Sequence, residues 1–534
     1  MHKNERRRIA VLDLETDPFL YGQMVHPFAA GFYDGSTYSD FWGADCVAKL
    51  VDYLEKLSEP LTIYAHNGGR FDYFFFLPYI RDALRIVNSR IIQAHLGKHE
   101  LRDSFAIMPF ALDKYQKTSI DYNKLLRERR EQHKPEIRAY LKDDCTNLYT
   151  LCVAFQEEFG DALTIGSASM KQLRKFHQFA RGNEIFDARF RKDFYFGGRN
   201  QVFRSGIIHG PIKIYDVNSM YPHAMRDYLH PVSTGILVGN RIDKNTCYVS
   251  VEGKNFGAFP TRQKDNSLDF TIPSGIFHTS IHEYEAALDT GTFKPRKILK
   301  TYGFNRRESF DTFVNHFYDA RMIAKEKGDT IRTLFYKFVL NSGYGKFAQN
   351  PENYCDWFIA PVGSFPPEWH QCVKSCDEIC RLKWSPSFLS SNDYIIWSRP
   401  LRELNHYNIA TGASITGAAR AVLLRGLQHA RNPIYCDTDS IICNDLSGVT
   451  ISETELGAWK LETEGDMIAV CGKKLYAVYQ GKECIKKAHK GMRLTGEEIL
   501  KVAKGHTVES CNPVPAFKWD GSYSFTSRRA RMTV

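Results

Sequence analysis

Two aspartates two residues apart, Asp437 and Asp439, lie in the run Pro433-Ile434-Tyr435-Cys436-Asp437-Thr438-Asp439-Ser440-Ile441-Ile442-Cys443. Read as a strand, positions i and i+2 face the same side. Two carboxylates there repel each other unless a cation sits between them, and a divalent metal with oxygen ligands meets that need. A third acid, Asp216, follows a similar apolar run, Ile212-Lys213-Ile214-Tyr215. Three such acids can hold the metal pair used by in-line phosphoryl transfer, with the Val217 carbonyl as a further ligand. Alone, an Asp-x-Asp is as readily a turn or a solvated face.

A second acidic set lies near the start of the chain. Asp13 and Glu15 share a face of the strand-like run Ile9–Thr16. A short apolar run, Ile63-Tyr64-Ala65, precedes His66-Asn67-Gly68-Gly69-Arg70-Phe71-Asp72, where the glycines permit a tight bend presenting Asn67 and Asp72 together. A helix is expected from Pro135 to about Phe155: the proline suits a first turn, and Ile137, Leu141, Leu148 and Leu151 form an apolar stripe. Tyr140 and Asp144 then share a face at i,i+4. Four carboxylates and a phenol able to orient water result.

Further groups suit a nucleotide. In Asp216-Val217-Asn218-Ser219-Met220-Tyr221-Pro222, Tyr221 can lie beneath a sugar, where its ring clashes with a 2′-hydroxyl. The run Lys337–Phe347 reads as helical, with Lys337, Asn341 and Tyr344 on one face. Arg321 and Lys325, at i,i+4, add positive charge upstream. Lys474 and Tyr476 sit two apart on an expected strand, and Lys486-Lys487-Ala488-His489-Lys490 is a basic cluster suited to duplex phosphates.

In this order, Asp-x-x-Ser-x-Tyr-Pro, Lys-x-x-x-Asn-Ser-x-Tyr-Gly, Tyr-x-Asp-Thr-Asp-Ser and Lys-x-Tyr resemble the motifs of the family B DNA polymerases. The upstream acids resemble the three motifs of their 3′–5′ proofreading exonucleases. The resemblance runs from Asp13 to about Gly491. It implies that Asp13, Glu15, Asp72 and Asp144 bind two metals in the exonuclease, and that His66, Asn67 and Phe71 hold a single-stranded 3′ end. In the polymerase it implies Asp216 and Asp439 as the bridging acids, Asp437 as their support, and Lys337 and Lys325 on the triphosphate. Mg²⁺ is the expected ion, two per site, and Mn²⁺ would suit the same oxygen ligands.

The chain is also similar to the protein-primed branch of that family, found in bacteriophages, linear plasmids and adenoviruses. Tyr195-Phe196-Gly197-Gly198 matches its Tyr-x-Gly-Gly element, which contacts template. Lys117 matches a lysine assisting the exonuclease, and Phe75, Ser104 and Tyr122 match single-strand ligands. The implied fold class is α+β and multidomain. An RNase H-like exonuclease (1–165) precedes a right hand made of palm (166–229 and 401–486), fingers (312–350) and thumb (487–534). Two insertions, 230–311 and 351–400, would contact the terminal protein and the template and support strand displacement. The expected partners are primer-template DNA, single-stranded DNA, deoxynucleoside triphosphates, a terminal protein primer and a single-stranded-DNA-binding protein. Competing readings are a primer-independent family B polymerase of a mobile element, and a nuclease on a non-catalytic DNA-binding scaffold.

Composition is compatible. A chain of 534 residues exceeds one core, and a net charge of +10 fits a polyanionic partner. Thirteen cysteines, an odd number, read as reduced thiols of a cytoplasmic protein. Cys372, Cys376 and Cys380 are spaced along one helical face near Cys355, but not as in a zinc knuckle; free or buried thiols are the simpler reading. No run of some 18 apolar residues exists, so no membrane span is expected.

Overall fold

The computed structural model describes residues 7–112, 115, 118–182, 190–349, 355–363, 365–366, 385–386, 394–400, 406–518 and 522–533. Lys117, Cys372, Cys376 and Cys380 fall outside these residues.

The N-terminal half is built on a mixed sheet. Strand Arg8–Thr16 runs parallel to Leu61–Ala65 and antiparallel to Pro27–Tyr33; Leu61–Ala65 in turn runs parallel to His99–Asp103. Alternate side chains of Arg8–Thr16 enter two cores, because strand residues alternate in direction. Ala10, Leu12 and Leu14 pack toward helix Cys46–Lys56. Ile9 and Val11 pack with Leu141, Cys145 and Leu148 of helix Lys134–Phe159. That helix begins one residue before the expected Pro135 and runs four beyond Phe155. Its buried stripe continues through Phe155 to Phe159, where Gly160 at φ 71 ends it.

The palm expectation rests on an antiparallel seven-stranded sheet. Its spatial order is Glu483–His489, Leu475–Gln480, Trp459–Gly472, Gly206–Val217, Ser440–Cys443, Tyr435–Asp437 and Asn200–Val202. Helix Ile409–His429 packs on one face through Ile415, Ala418, Ala419 and Leu423. The cluster continues into Phe335, Val339 and Leu340 of helix Thr330–Ser342, and on into Leu148 and Leu151. One apolar core thus joins the exonuclease-like half to the helices expected as fingers.

Residues 230–311 form a four-stranded antiparallel sheet with helix Ile281–Asp289, packed on Ala421 and Leu424 of helix Ile409–His429. Strands Cys355–Pro361 and Tyr394–Pro400, from the second expected insertion, pair with each other. The first also pairs with Leu84–Val87, so this hairpin extends the N-terminal sheet to ten strands. Asp356 meets Arg85 and Arg399 there, each at 3.3 Å. No helix among the described residues is long and apolar enough to cross a membrane.

Candidate active sites

The polymerase-type acids converge, but by a route the strand reading missed. Asp437 ends one strand, Ser440 starts the next opposite it, and Thr438 and Asp439 form the two-residue turn between them. Thr438 has φ 62, the positive value that such tight hairpins demand of a turn residue. The i,i+2 alternation therefore does not set where Asp439 points; the turn does. Asp216 lies directly across the sheet from Ser440, and the Val217 amide donates to the Asp439 carbonyl at 2.8 Å. Burial first, then the neighbouring Asp439 and Glu462, raise the Asp216 carboxyl to about 7. Burial, with Asp437 beside it, raises Asp439 to about 6. Two mutually destabilised carboxylates suit a hard cation with oxygen ligands.

Lys474 also departs from its expected strand. It occupies the turn between Trp459–Gly472 and Leu475–Gln480 at φ 58, and its ammonium pairs with Asp437 at 2.8 Å. Its own amide donates to the Tyr435 hydroxyl, whose ring lies 5.5 Å from that of Tyr476. Lys487 donates to the Leu494 carbonyl at 3.0 Å, which places it against the expected thumb segment.

Beside Asp216 and Asp439 opens a cleft of about 330 Å³. Val217, Lys325, Lys337 and Asn341 line it, together with Arg321, Tyr318 and Met322. Helix Asp311–Glu326 brings Tyr318, Arg321, Met322 and Lys325 to one wall, as residues three and four apart on a helix share a face. The Arg321 Nε is buried with no hydrogen-bond partner. Tyr344 does not line the cleft. Helix Thr330–Ser342 stops before Gly343, and the Tyr344 ring stacks on Tyr221 at 3.9 Å and 14°. The contact buries both phenols, and burial raises both pKa values.

The Tyr-x-Gly-Gly element packs against the Thr438 turn. A Cβ on Gly198 would lie 2.5 Å from Thr438 Oγ1, whereas one on Gly197 would meet nothing within 4 Å. The Arg199 carbonyl accepts from the Thr438 amide at 2.6 Å. The Tyr195 carbonyl accepts from Arg262 at 2.5 Å, and the Arg191 guanidinium lies 5.3 Å from the Tyr195 ring.

In the N-terminal half, carboxylate oxygens of Asp13, Glu15 and Asp144 all lie within 4.8 Å of one another. Asp72 is outside that trio. It is buried and hydrogen-bonded to the backbone of Leu14, between Asp13 and Glu15, and burial raises it to about 7. Tyr140 is raised by burial and by Asp144 and Glu15. It lines a cleft of about 310 Å³ with Tyr122, which is 58% exposed. The His66 imidazole bonds the buried Ser104 hydroxyl at 3.0 Å. In the bend, the positive φ of 61 falls on Asn67, not on a glycine. The glycines serve close approach instead, since a Cβ on Gly69 would lie 1.9 Å from the Ile91 carbonyl oxygen.

Phe71 and Phe75 join a cluster that the sequence could not show. Phe517, on a hairpin in the expected thumb, stacks on Phe74 at 5.3 Å and meets Phe71 and Phe75 edge-on at 5.6 and 5.4 Å. Phe19 completes it, 5.4 Å from Phe71. Phe517 stands in no motif, and only the fold brings it here.

Residues 113–440 match the model of a family described as DNA polymerase type B, organellar and viral. The chain is 46% identical over 562 residues to the DNA-directed DNA polymerase of Enterobacteria phage PRD1, covering 99% of each chain. It is 27% identical over 295 residues to the DNA polymerase of Bacillus phage Nf, covering 48% of this chain and 50% of that one. Among solved structures, phi29 DNA polymerase with primer-template DNA and incoming nucleotide aligns at a TM-score of 0.72 and 19% identity. The alignment covers 99% of this chain and all of that one, so the fold is shared from end to end. The chain belongs to the organellar and viral type B DNA polymerases, and it is a DNA-directed DNA polymerase.

Proposed function

We propose that this polymerase extends DNA at Asp216, Asp437 and Asp439, trims mispaired 3′ ends at Asp13, Glu15, Asp72 and Asp144, and initiates on a terminal protein. The observation that carries the reading is the presence of two separate carboxylate centres in one chain, Asp216 and Asp439 on a cleft with Lys325 and Lys337, and Asp13, Glu15 and Asp144 beside Tyr140, which lines a second cleft. At the first, Arg321, Lys325 and Lys337 line the same cleft as Asp216 and Asp439, and cations beside metal-binding acids are what a triphosphate needs. At the second, aromatic rings surround the approach, the arrangement unpaired bases need. Primer-template DNA, single-stranded DNA and deoxynucleotides are therefore the proposed ligands. Phi29 DNA polymerase has been solved with primer-template DNA and nucleotide and with single-stranded DNA.

Asp216 and Asp439 would hold the polymerase ions and Asp13, Glu15 and Asp144 those of the exonuclease, with Asp72 in support. Two Mg²⁺ ions would activate the attacking oxygen and stabilise the leaving one. The chain's own groups do the rest. Lys337, Lys325 and Arg321 neutralise the triphosphate, Asn341 lines its cleft, and Tyr221, braced by Tyr344, lies under the sugar. Lys474 holds Asp437 beside its neighbours. Tyr195, Gly197, Gly198, Tyr476 and Lys487 follow template and duplex. His66, Asn67, Phe71, Phe75, Ser104 and Tyr122 hold the frayed end, with Tyr140 and Lys117 assisting hydrolysis. The segment boundaries proposed are exonuclease 1–165, palm 166–229 and 401–486, fingers 312–350, thumb 487–534, and insertions 230–311 and 351–400. The insertions would take the terminal protein and enclose the downstream template, favouring strand displacement in a host cytoplasm, with a single-stranded-DNA-binding protein on the displaced strand.

The test is primer extension on a single-stranded circle with Mg²⁺, four deoxynucleotides and no accessory protein. Products longer than one circle, absent with Asp439→Asn, support synthesis and displacement at this site. Primer shortening alone, from both proteins, would overturn it. Terminal-protein priming is tested separately, by labelled nucleotide becoming covalently attached to protein.

A further inference from the structure

Arg420 belongs to none of the motifs; it sits on helix Ile409–His429 and is 4% exposed. Its guanidinium is shared between two duties. Nε and Nη2 donate to the Glu283 carboxylate at 2.6 and 3.0 Å. Nη1 donates to the carbonyls of Phe196 and, at 2.7 Å, Gly197. A fork of fixed donors is what allows one side chain to do both.

Each end of this bridge is anchored. Glu283, 3% exposed, belongs to the capping box of helix Ile281–Asp289 and also accepts from the Ser280 hydroxyl at 2.8 Å. Gly417, one turn before Arg420, permits the approach: a Cβ there would lie 2.2 Å from Ser280 Oγ. At the other end, Phe196 and Gly197 lead straight into Gly198 and Arg199. Those two residues touch Thr438 and bond its amide, between Asp437 and Asp439.

We propose that Arg420, braced by Glu283, is a positioning residue for polymerisation that clamps the Phe196–Gly197 backbone and so fixes the Asp437–Thr438–Asp439 turn. The inference rests on the polymerase site proposed above. An ion pair that only glued two helices would be complete with Nε and Nη2. Nη1 is directed instead at two consecutive carbonyls of the loop that packs on the Asp437–Asp439 turn. Glu283 lies within residues 230–311, so the clamp also couples that segment to the acids.

The experiment uses the full chain with Arg420→Lys, which keeps the charge and loses the fork. Single-turnover primer extension is measured against Mg²⁺ concentration, with single-stranded exonuclease activity as the internal control of folding. The expected result is a maximal extension rate lower by about 10- to 100-fold, as for a misplacement near 1 Å. The Mg²⁺ needed for half-maximal rate rises severalfold, and exonuclease activity stays within about twofold. A merely structural role would not move the metal requirement. Extension and Mg²⁺ dependence like the wild type overturn the proposal. If both activities fall together, Glu283→Gln, which keeps the buried shape, decides: a selective loss of extension with a raised Mg²⁺ requirement supports the clamp, and any other pattern overturns it. Asp439→Asn run alongside separates the two ideas, since its retaining full extension would sink the site and not the clamp alone.

Discussion

Gly198→Ala is the most economical probe of the Asp437–Asp439 turn proposed for polymerisation. The added methyl would stand 2.5 Å from Thr438 Oγ1, 2.7 Å from Cγ2 and 2.9 Å from Cβ. Rotating the threonine moves the first two atoms but not the third. Carbon pairs rest at about 3.5 Å or more, so loop or turn must yield by roughly 0.6–1 Å. The loop is held by Arg262 at Tyr195 and by Arg420 at Phe196 and Gly197, and the Thr438 amide is tied to Arg199. Much of the shift therefore falls on Thr438 and its two flanking aspartates. A displacement of that size near reacting atoms costs about 100-fold in rate. Single-turnover extension should show it, while exonuclease activity on single-stranded DNA stays within about twofold because Asp13 and Asp216 stand on different sheets. Extension at the wild-type rate would refute the claim that this contact shapes the site.

Three further outcomes are expected. Asp144→Ala should lower exonuclease rate by about 10³-fold or more and leave extension intact, with Asp439→Asn doing the reverse; joint loss from either would contradict two independent centres. Tyr221→Val should raise ribonucleotide incorporation by a factor on the order of 10–100, read as the ratio of kcat/KM for the two sugars, and an unchanged ratio would remove Tyr221 from sugar discrimination. Asp216 and Asp439 have pKa values raised to about 7 and 6, above the unfolded value of 3.8. The folded state thus binds more protons than the unfolded chain, and stability of the metal-free protein should fall as pH rises from about 4 to about 7. Asp216→Asn should flatten that fall in Tm, and Mg²⁺ should raise Tm more at high pH than at low; a Tm slope identical in wild type and variant would contradict the raised pKa.

The chemistry was written locally and the architecture was not. Each acid set stood out because carboxylates recur at short spacing beside apolar runs, a pattern that a divalent cation would stabilise. Helix Lys134–Phe159 was legible because its stripe at helical spacing buries Ile137, Leu141 and Leu148. Periodicity failed at Asp439 and Lys474. Both sit in two-residue turns, where a single positive φ redirects the chain and no apolar alternation records it. Phe517 on the Phe71 cluster, Arg420 on the Phe196 carbonyls and the hairpin Cys355–Pro361 on the Leu84–Val87 edge are meetings of distant segments. The sequence by itself determined which residues can do chemistry and the family they belong to, because residue type and spacing carry that. Which side chains brace them was decided only in the tertiary structure, since burial and close approach are properties of the packed chain.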